Sequence, residues 1–452
     1  MARAKKEAAL TPEERLQAAL EPDWEWPYKL PENWCWTTVG AINQYVGISA
    51  DPTKAKNETF ELYSVPSSAD NYPEIVLGAD IGSAKQSVKK GDVLLCKINP
   101  RINRVWKVSK YTDHSLLASS EWIVIRNSRL ISNYLMWCLR SPYFRGYMLS
   151  NVSGVGGSLM RAQPKFVQGY PIPVPPLAEQ QRIIDRIESL FAKLDEAKEK
   201  AQAVVDSFET RKASILHKAF TGELTAKWRE EHGVGMESWE QCSLSDVCTV
   251  NPKKADTKDL PDELEVSFFP MPALSEIYGE ITDPQTRLLK EVRSGFTNFS
   301  EGDVVFAKIT PCMENGKSAV IGKLVNDIGF GTTEFFVLRC SERLYNRFLY
   351  HLVRDKSFRD KAKAVMTGAV GQQRVPKRYL ETYKLNLPKV NEQQEIVRIL
   401  DKSFAKEQQT KEAAEAVLDQ IDLMKKSILA RAFRGELGTN DPSEESTVEL
   451  LR

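Results

Sequence analysis

Two long stretches of the chain place apolar side chains at alternating steps of four and three residues. This spacing is typical of helices whose apolar stripes meet along a coiled-coil seam. The first stretch runs from residue 183 to 215, and the second from residue 396 to 428. We predict two long helices that pair through these residues: Ile183, Ile187, Leu190, Leu194, Val204, Phe208 and Ile215 in the first, and Ile396, Leu400, Val417, Ile421, Met424 and Ile428 in the second.

Prolines and glycines bound both stretches. Pro175-Pro176 and Pro388 precede the two helices, and Gly222 and Gly435 lie where C-terminal stops are expected. Each helix then spans about 44 residues, or ~65 Å if it is straight. A helix of this length and pattern needs another surface to cover its apolar stripe.

Three polar residues interrupt the two stripes, namely Arg211, Glu407 and Thr410. Polar residues in a seam fix the register between helices at some cost in stability. We favour antiparallel pairing of the two helices within one chain. The alternative is that each helix packs on its own domain or that the chain dimerises through its helices.

The chain contains an internal repeat. Glu179-Gln180-Gln181 opens the first helical stretch, and Gly222-Glu223-Leu224 closes it. Glu392-Gln393-Gln394 and Gly435-Glu436-Leu437 open and close the second, each shifted by 213 residues. Because the repeated unit is a domain plus a long helix, the sequence predicts a pseudo-twofold plan.

The segments before the helices repeat more weakly. Each reads as a mixed domain in which short β-type runs precede a helical run. The predicted strands are 92–95 and 121–125 in the first module and 303–306 and 334–338 in the second, followed by helices near 133–149 and 343–363. The scaffold residues match between the modules, while the residues between them differ.

The predicted fold class is α+β. It consists of two homologous mixed α/β domains separated by two long helices that pair as an antiparallel coiled coil. The predicted segments are a helical lead-in at 1–26, domain 1 at 27–175, spacer helix 1 at 176–224, a linker at 225–235, domain 2 at 236–387, spacer helix 2 at 388–437 and a C-terminal tail at 438–452.

Composition narrows the class of protein. The apolar content of 42% and charged content of 27% are ordinary for a globular chain. No run approaches the roughly 18 apolar residues that a membrane span needs, so no membrane is expected. The seven cysteines are scattered and only four histidines are present, so neither a disulfide framework nor a zinc site is predicted. A reducing cytoplasm is the expected location.

The net charge is uneven between the modules. Residues 27–175 carry 17 Lys/Arg against 10 Asp/Glu, whereas residues 236–389 carry 22 against 21. Basic loops suggest contact with DNA, in which Arg and Asn read bases and Lys mostly contacts phosphate. The candidate DNA-binding residues are Lys97, Asn99, Arg101, Arg104, Lys107, Arg161 and Lys165 in module one, and Lys308, Thr310, Asn315, Lys317, Arg374 and Lys377 in module two. For any single residue, a solvated surface charge is an equally good interpretation.

The order of module, helix, module and helix is similar to that of specificity (S) subunits of type I restriction–modification systems. The resemblance covers essentially the whole chain. It rests on Pro175–Leu224, with Ser214-Ile215-Leu216 and Ala219-Phe220, and on the matching stretch Pro388–Leu437. It implies two target-recognition domains, each reading one part of a split, asymmetric double-stranded DNA site. It also implies helices that set the gap and hold two methyltransferase (M) subunits, with restriction (R) subunits joining the full complex.

The motifs of catalysis are missing from the sequence. No adenine-methyltransferase motif is found, and Gly316-Lys317-Ser318 resembles the end of a P-loop but has Pro311 where the leading glycine belongs. We therefore predict a non-catalytic chain with no bound cofactor or metal. The resemblance implies S-adenosylmethionine, ATP and Mg in partner subunits. The alternatives are a structural coiled-coil adaptor without a role on DNA, and an enzyme with an unrecognised site.

Overall fold

The computed structural model describes Glu14 and residues 26–153, 160–276, 279, 281–369 and 371–448. Contacts divide the chain into two units. Unit 1 comprises Met1–Ala201 with Ala416–Arg452, and unit 2 comprises Gln202–Glu415. Each unit therefore contains one module, the first part of one long helical stretch and the last part of the other. The predicted lead-in helix at 1–26 lies outside the described residues, apart from Glu14 and Trp26.

Module one is built from short strands and helices. Its strands are β1 (Cys35–Thr38), β2 (Ser49–Ala50), β3 (Thr59–Tyr63), β4 (Glu74–Leu77), β5 (Lys85–Ser87), β6 (Val93–Cys96), β7 (Val105–Lys107), β8 (Ser115–Ala118), β9 (Trp122–Ile125), β10 (Val152–Ser153), β11 (Arg161–Ala162) and β12 (Pro171–Val174). Its helices are α1 (Val39–Ile42), α2 (Ser132–Arg140), α3 (Pro142–Ser150) and α4 (Pro164–Val167).

The first long helical stretch follows as α5 (Leu177–Asp206) and α6 (Phe208–Phe220), and α7 (Ala226–Glu231) lies within the predicted linker. The strands of module two are β13 (Glu240–Ser243), β14 (Cys248–Val250), β15 (Glu265–Phe269), β16 (Gln285–Leu288), β17 (Thr297–Phe299), β18 (Val304–Ala307), β19 (Ser318–Val320), β20 (Gly329–Gly331), β21 (Phe335–Cys340) and β22 (Lys384–Leu387). Its helices are α8 (Leu289–Val292), α9 (Asn346–Arg354), α10 (Lys356–Ala364) and α11 (Lys377–Thr382), and the second long helix is α12 (Val390–Ala432).

The two modules have related sheets that differ in their number of strands. Module one has a five-stranded sheet, β2-β5-β8-β3-β4, and a three-stranded sheet, β7-β6-β9. Module two has the sheets β16-β15-β20-β17 and β14-β21-β18-β19. One parallel pair lies in each module, β3 with β8 and β15 with β20. The predicted fold class of two mixed modules with long helices is confirmed, and the four predicted strands are present within two residues.

Each core combines a module with both long helical stretches. In unit 1, Ile183 and Ile187 of α5 pack in one cluster with Leu429 of α12 and with Phe433 just beyond it. In unit 2, Leu216 of α6 packs in the equivalent cluster, together with Ile396 and Leu400 of α12. The repeated sequences at the helix ends therefore serve to close each core. None of the helices in the described part of the chain is long and apolar enough to cross a membrane.

The helix predicted at the end of each module is two helices in the structure. Ser141 ends α2 and caps α3, since its side chain accepts a hydrogen bond from the Phe144 N–H, and Pro142 follows at the first helical position. Asp355 caps α10 in the same way through the Phe358 N–H. The apolar periodicity continues across these caps and did not show the breaks, although Pro142 marks the first of them in the sequence.

The first long helix is also interrupted, at Ser207. The Ser207 hydroxyl donates to the carbonyl of Ala203, with the two oxygens 2.6 Å apart. A serine that bonds back to the preceding turn bends a helix. Backbone hydrogen bonds of helical spacing continue across this residue, from the Ser207 N–H to the Ala203 carbonyl at 3.1 Å and from the Arg211 N–H to the Ser207 carbonyl at 2.9 Å. The second stretch, α12, runs unbroken for 43 residues.

Within unit 1, the first part of the long helical stretch runs antiparallel to the last part of α12. Lys198 pairs with Asp422 at 3.4 Å, and Asp195 pairs further along α12 with Lys425. The Lys425 ammonium also lies 5.0 Å from the ring centroid of Phe191. Residue numbers therefore decrease along one helix as they increase along the other, which defines the antiparallel arrangement.

Unit 2 contains a second antiparallel stretch. Arg211 Nε donates to Glu407 Oε2 at 2.7 Å, which joins two of the three polar residues that interrupt the stripes. Lys411 lies over the Phe208 ring at 5.0 Å. Thr410 instead donates to the carbonyl of Lys406 in its own helix. A continuous coiled coil over the full length stays a prediction.

The predicted seam residues differ in burial. Buried members are Ile183, Ile187, Phe208, Ile396, Leu400 and Ile421, and half-buried members are Leu190, Leu194, Val204, Ile215 and Ile428. Val417 and Met424 are instead 41% and 50% exposed. Leu418 and Lys425 lie further inward on the same helix. Positions spaced by a strict seven-residue repeat drift by about 20° per heptad around a straight helix. Toward the C-terminus of α12, the predicted seam positions therefore lie beside the buried face of the helix and not on it.

The second residue of each repeated Glu-Gln-Gln is a buried glutamine whose side chain links two segments of the backbone. Gln180 donates to the carbonyl of Pro175 at 3.0 Å and accepts from the Ile131 N–H at 2.9 Å. Gln393 donates to the carbonyl of Pro388 at 2.8 Å and accepts from the Tyr345 N–H at 2.7 Å. Each glutamine therefore fastens the start of a long helix to the loop before the helices of its module.

The first residue of each motif is a buried carboxylate with a dedicated partner set. Glu179 accepts from the hydroxyl of Thr439 at 2.6 Å, and Arg182 lies 3.0 Å away. Glu392 is 2% exposed and accepts from Arg229 at 2.7 Å. Its other donors are the Thr225 hydroxyl at 2.7 Å and the Trp239 indole N–H at 3.0 Å. The segments just past the repeated Gly-Glu-Leu are held by these glutamates.

We expect unit 2 to lose stability in mild acid because of His351. This side chain is 4% exposed, and its Nε2 lies 3.2 Å from Asp401 Oδ1. Burial lowers the pKa of His351 below its ordinary value of 6.5, although the hydrogen bond with Asp401 opposes the shift. The unfolded chain therefore binds this proton more readily than the folded chain. The resulting stability is complete above the ordinary pKa of 6.5 and is lost as the pH falls toward the folded pKa.

The melting temperature of unit 2, followed between about pH 7.5 and about pH 5.5, tests this expectation. His351→Gln keeps a hydrogen-bonding side chain that does not titrate, and it should flatten the pH dependence. An unchanged pH dependence in this variant would show that other groups cause the loss.

Candidate nucleic-acid interface

The loop after β6 carries the first group of candidate DNA-binding residues. The N–H of Lys97 donates to the carbonyl of Glu121 at 3.0 Å, and the Lys97 carbonyl accepts from the N–H of Ala162 at 2.8 Å. Ile98 forms a β-bridge with Arg161. Three segments that are distant in sequence thus meet where β6 ends, and they bring Lys97 and Arg161 together.

Two asparagines shape the tip of this loop. Asn99 and Asn103 have φ values of +47° and +53°, in the left-handed region that asparagine tolerates better than most residues. Between them, Arg101 and Ile102 are exposed. The tip is tied to the helices behind it, since Asn103 Nδ2 donates to the carbonyl of Arg140 at 3.0 Å. Arg101 is therefore presented on an anchored turn.

The structure separates Lys107 and Trp106 from this tip. The Lys107 ammonium donates to Asn133 Oδ1 at 2.6 Å, and this hydrogen bond links β7 to α2. Trp106 is 3% exposed and packs 4.6 Å from the ring of Tyr63. The place of Lys107 among other basic residues in the sequence suggested an interface, and strand alternation directs its neighbour Trp106 into the core. Arg104 is half-buried at the end of the loop.

Each module pairs a candidate phosphate-binding arginine with a glutamate. Arg161 lies 3.3 Å from Glu121, and Arg374 lies 2.8 Å from Glu334. The hydrogen bond from Arg374 lowers the pKa of Glu334 and raises that of Arg374. Because each arginine already has a carboxylate partner, its charge toward DNA is partly compensated. The glutamates were missed as site residues, although their recurrence in both halves was visible in the sequence.

The equivalent loop of module two has the same frame. The N–H of Lys308 donates to the carbonyl of Glu334 at 2.9 Å, and Ile309 bridges Arg374. The N–H of Thr310 donates to the carbonyl of Gln373 at 3.0 Å. The structure thus groups Lys308, Thr310 and Arg374 as it groups their counterparts in module one.

Four other candidates have local partners. Asn315 Nδ2 donates to Glu276 Oε1 at 3.1 Å, and Lys317 lies 3.6 Å from the same carboxylate. Lys377 pairs with Glu381 one helical turn later at 2.8 Å. Lys165 is exposed, with its ammonium over the neighbouring ring of Phe166. Lys317 and Lys377 therefore face carboxylates rather than open solvent alone.

From the sequence, the glycine run at 154–157 is most simply a flexible loop, with close approach of its backbone to phosphate as the functional alternative, and a similar run recurs at 368–371. The run from Gly154 to Gly157 lies outside the described residues. In module two, Gly368 and Gly371 have φ values of +125° and +81°, where a side chain would be strained. Val370 between them also lies outside the described residues.

In each module, an ion pair between a buried aspartate and a partly exposed arginine supports the loop, and neither pair was predicted. Arg126 of β9's end donates two hydrogen bonds to Asp92, at 2.8 and 2.7 Å. Arg339 donates to Asp303 in the same two-pronged way, at 2.7 Å for both bonds. The strand pair that carries each candidate loop is thus fixed by one bidentate contact.

Comparison with known proteins decides the family. The family model described as "Type I restriction modification DNA specificity domain" matches residues 47–205 and 236–418, which is more than half of the chain. The chain belongs to this family. Its two matched segments correspond to the two repeats found in the sequence.

Similar family members come from Escherichia coli. The type I restriction enzyme EcoEI specificity subunit is 32% identical over 258 residues, covering 48% of this chain and 43% of that protein. The EcoAI specificity subunit is 31% identical over the same coverage. The EcoKI specificity subunit is 24% identical over 322 residues, covering 70% of this chain and 68% of its own. The chain thus spans less than half the length of the first two relatives.

Two solved structures share the fold. A chain from a study of complex assembly and conformational transition of the type I R-M system superposes with a TM-score of 0.69 at 21% identity, covering 91% of this chain and all of that one. The HsdS subunit from Thermoanaerobacter tengcongensis gives a TM-score of 0.63 at 21% identity, covering 91% of this chain and 99% of its own.

Proposed function

We propose that the chain is a non-catalytic reader of DNA sequence in a type I restriction–modification complex. Each module contacts one half of a bipartite, asymmetric site in double-stranded DNA. The long helices set the distance between the halves and dock two M subunits, and R subunits join the full complex. S-adenosylmethionine, ATP and Mg act in those partner subunits, and this chain binds none of them in the reaction.

One observation carries this proposal. The loops after β6 and β18 have the same backbone arrangement but present different side chains. Lys97-Ile98 and Lys308-Ile309 occupy the same backbone positions, each held by a glutamate carbonyl and an arginine bridge. Beyond them, Asn99-Pro100-Arg101 in module one stands where Thr310-Pro311-Cys312 stands in module two. A common frame that presents different polar groups suits two unlike half-sites.

Joining two readers in one chain should make the chain bind DNA more tightly than either module alone. Once one module is bound, the second binds at a high effective concentration set by the connecting helices. Two unlike modules read two unlike sequences, whereas a symmetric dimer reads a palindrome. The proposal therefore requires a site whose halves differ.

We expect Lys97→Met to weaken binding to duplex DNA with little dependence on sequence. A lysine that contacts one phosphate contributes about one unit to the slope of log affinity against log salt concentration. Fluorescence anisotropy of the full chain with its co-expressed methyltransferase, measured across salt concentrations, gives this slope. Lys107→Met is the matched control, because Lys107 is bonded to Asn133, and it should leave the slope unchanged.

The same measurement separates the alternatives. A structural adaptor without a DNA role would give no salt-dependent DNA binding in any variant. Methyl transfer or nuclease activity by the purified chain alone would reject the non-catalytic reading. Equal slopes for the native chain and Lys97→Met would remove Lys97 from the interface.

A further inference from the structure

Two cysteines of module two lie directly opposite each other in neighbouring strands. The antiparallel register of β14 and β21 pairs Cys248 with Cys340. The other strand cysteines face residues without sulfur: Cys35 faces Val174, Cys96 faces Trp122 and Cys242 faces Leu385. Cys138 lies in α2 and Cys312 in a turn. The structure describes all seven cysteines, and among them it has one cross-strand pair.

The hydrogen bonds of this strand pair place the two cysteines at a position of close approach. The N–H of Ser341 donates to the carbonyl of Val247 at 2.9 Å, so the residues next to the cysteines form a hydrogen-bonded pair. Hydrogen-bonded and non-hydrogen-bonded pairs alternate along an antiparallel ladder. Cys248 and Cys340 therefore form a non-hydrogen-bonded pair, in which facing Cα atoms are about 4.5 Å apart.

This arrangement suits a disulfide bond. Disulfide-bonded cysteines usually have Cα atoms roughly 4.4–6.8 Å apart, so the bond needs little movement of either strand. The two side chains also point to the same face of the sheet. Cys248 belongs to the core cluster of unit 2 and Cys340 packs against it, whereas Thr249, the neighbour of Cys248, is exposed.

The two thiols already interact, and they differ in access to solvent. A hydrogen bond with Cys340 and, as the second cause, burial raise the pKa of the Cys248 thiol. Cys248 is 5% exposed, whereas Cys340 is half-buried. An oxidant in solution therefore reaches Cys340 first, and Cys248 lies beside it as the second thiol.

We propose that Cys248 and Cys340 are a redox modification site at which a hydroperoxide converts two thiols into a reversible disulfide. With hydrogen peroxide, the Cys340 sulfur forms a bond to one peroxide oxygen, the O–O bond breaks, and the thiol proton leaves in a first water. The Cys248 sulfur then attacks the resulting sulfenic acid, the S–O bond breaks, and the second thiol proton leaves in a second water. The two sulfurs together lose two electrons, and the peroxide gains them.

The resulting bond should be easily reduced. Its Cα separation lies at the short end of the usual range, below the preferred value of about 5.5–6 Å, and such departures make a disulfide more reducible. In a reducing compartment, disulfides of this kind are usually transient or redox-sensing. Reduced glutathione should therefore return both cysteines to the thiol form by exchange.

The internal repeat makes this site particular to module two. A shift of 213 residues relates Arg339 to Arg126 and Cys340 to Asn127. The two arginines make the same two-pronged contact with an aspartate, whereas asparagine cannot form a disulfide. Oxidation would therefore join the edge strand β14 to the strand that supports the candidate DNA loop of module two, and module one would not change.

Thiol counting on the full chain tests the proposal. The reduced chain, denatured in the presence of N-ethylmaleimide, should take up seven labels, one for each cysteine. After treatment of the native chain with hydrogen peroxide, the count should fall by two. Peptides prepared without reductant should include Cys248 joined to Cys340, and reduced glutathione should restore the full count.

Two variants separate this pair from general oxidation. Cys340→Ser removes the thiol that the oxidant reaches first, and it should abolish the paired loss; Cys248→Ala should do the same. The matched control is Cys312→Ser, which removes another half-buried cysteine of module two and should still lose two thiols on oxidation. A paired loss that persists in Cys340→Ser would overturn the proposal.

The stability of unit 2 gives an independent readout. The disulfide closes a loop of about 90 residues in the unfolded chain, and a disulfide stabilises more when its loop is long. The melting temperature of unit 2 should therefore rise on oxidation of the native chain and stay constant in Cys340→Ser. A native chain that keeps all seven thiols, a disulfide between other cysteines, or a lower melting temperature after oxidation would contradict the proposal.

Discussion

Replacing Glu392 by alanine should lower the free energy of unfolding of unit 2 by about 3–5 kcal/mol, because it leaves a buried arginine without its counter-charge. Arg229 is 6% exposed, and its guanidinium lies 2.7 Å from Glu392. Thr225 and the Trp239 indole lose their acceptor in the same variant. One side chain thus joins the helix start to the segment past the first Gly-Glu-Leu.

Chemical denaturation, followed by far-ultraviolet circular dichroism, measures this loss. The matched control is Arg343→Ala, because the Arg343–Glu240 pair is exposed, with side chains 53% and 61% accessible. Exposed pairs contribute less than about 1 kcal/mol. Equal losses in the two variants would mean that the Glu392 cluster is not a closed, desolvated site.

The second large effect is expected at Phe433. This ring is fully buried in unit 1, 5.4 Å from the ring of Tyr134, and the Phe433 carbonyl accepts from the Tyr28 hydroxyl at 2.9 Å. Phe433→Ala should destabilise unit 1 by about 3–5 kcal/mol, since it removes buried surface and leaves a cavity. Differential scanning calorimetry should show a lower melting temperature for unit 1.

The repeat again provides the control. Phe220 is the counterpart of Phe433 by the shift of 213 residues, and it is only half-buried. Phe220→Ala should therefore destabilise unit 2 by less than Phe433→Ala destabilises unit 1. The reverse order would show that the end of the second helix is not an essential part of the unit 1 core.

The repeat made much of the architecture predictable from sequence. Duplicated motifs fixed the number of modules, and proline and glycine marked the helix ends, where Gly222 and Gly435 have positive φ. Periodicity failed where a single residue decided the outcome, as at the Ser141 and Asp355 caps. Such side-chain bonds to the backbone leave no trace in an apolar pattern.

The candidate interface was only partly predictable, for a related reason. The grouping of Lys97 with Arg161 arises from a bridge between segments more than sixty residues apart. The alternation of side chains along β7 places Trp106 in the core. The partners Glu121 and Glu334 were visible as repeated residues, but their contact with an arginine is a tertiary feature. The placement of each basic residue therefore required the structure.

The measurement that tests the central claim most directly is a map of adenine methylation across the genome of a host that co-expresses this chain with its neighbouring methyltransferase subunit. The account predicts one split motif with two unlike halves and a fixed gap. A variant of the module one tip, Arg101→Ala, should relax the reading of one half and leave the other intact. Methylation that is palindromic, or that lacks a motif while the subunits still co-purify, would contradict the claim that the two modules read two different half-sites.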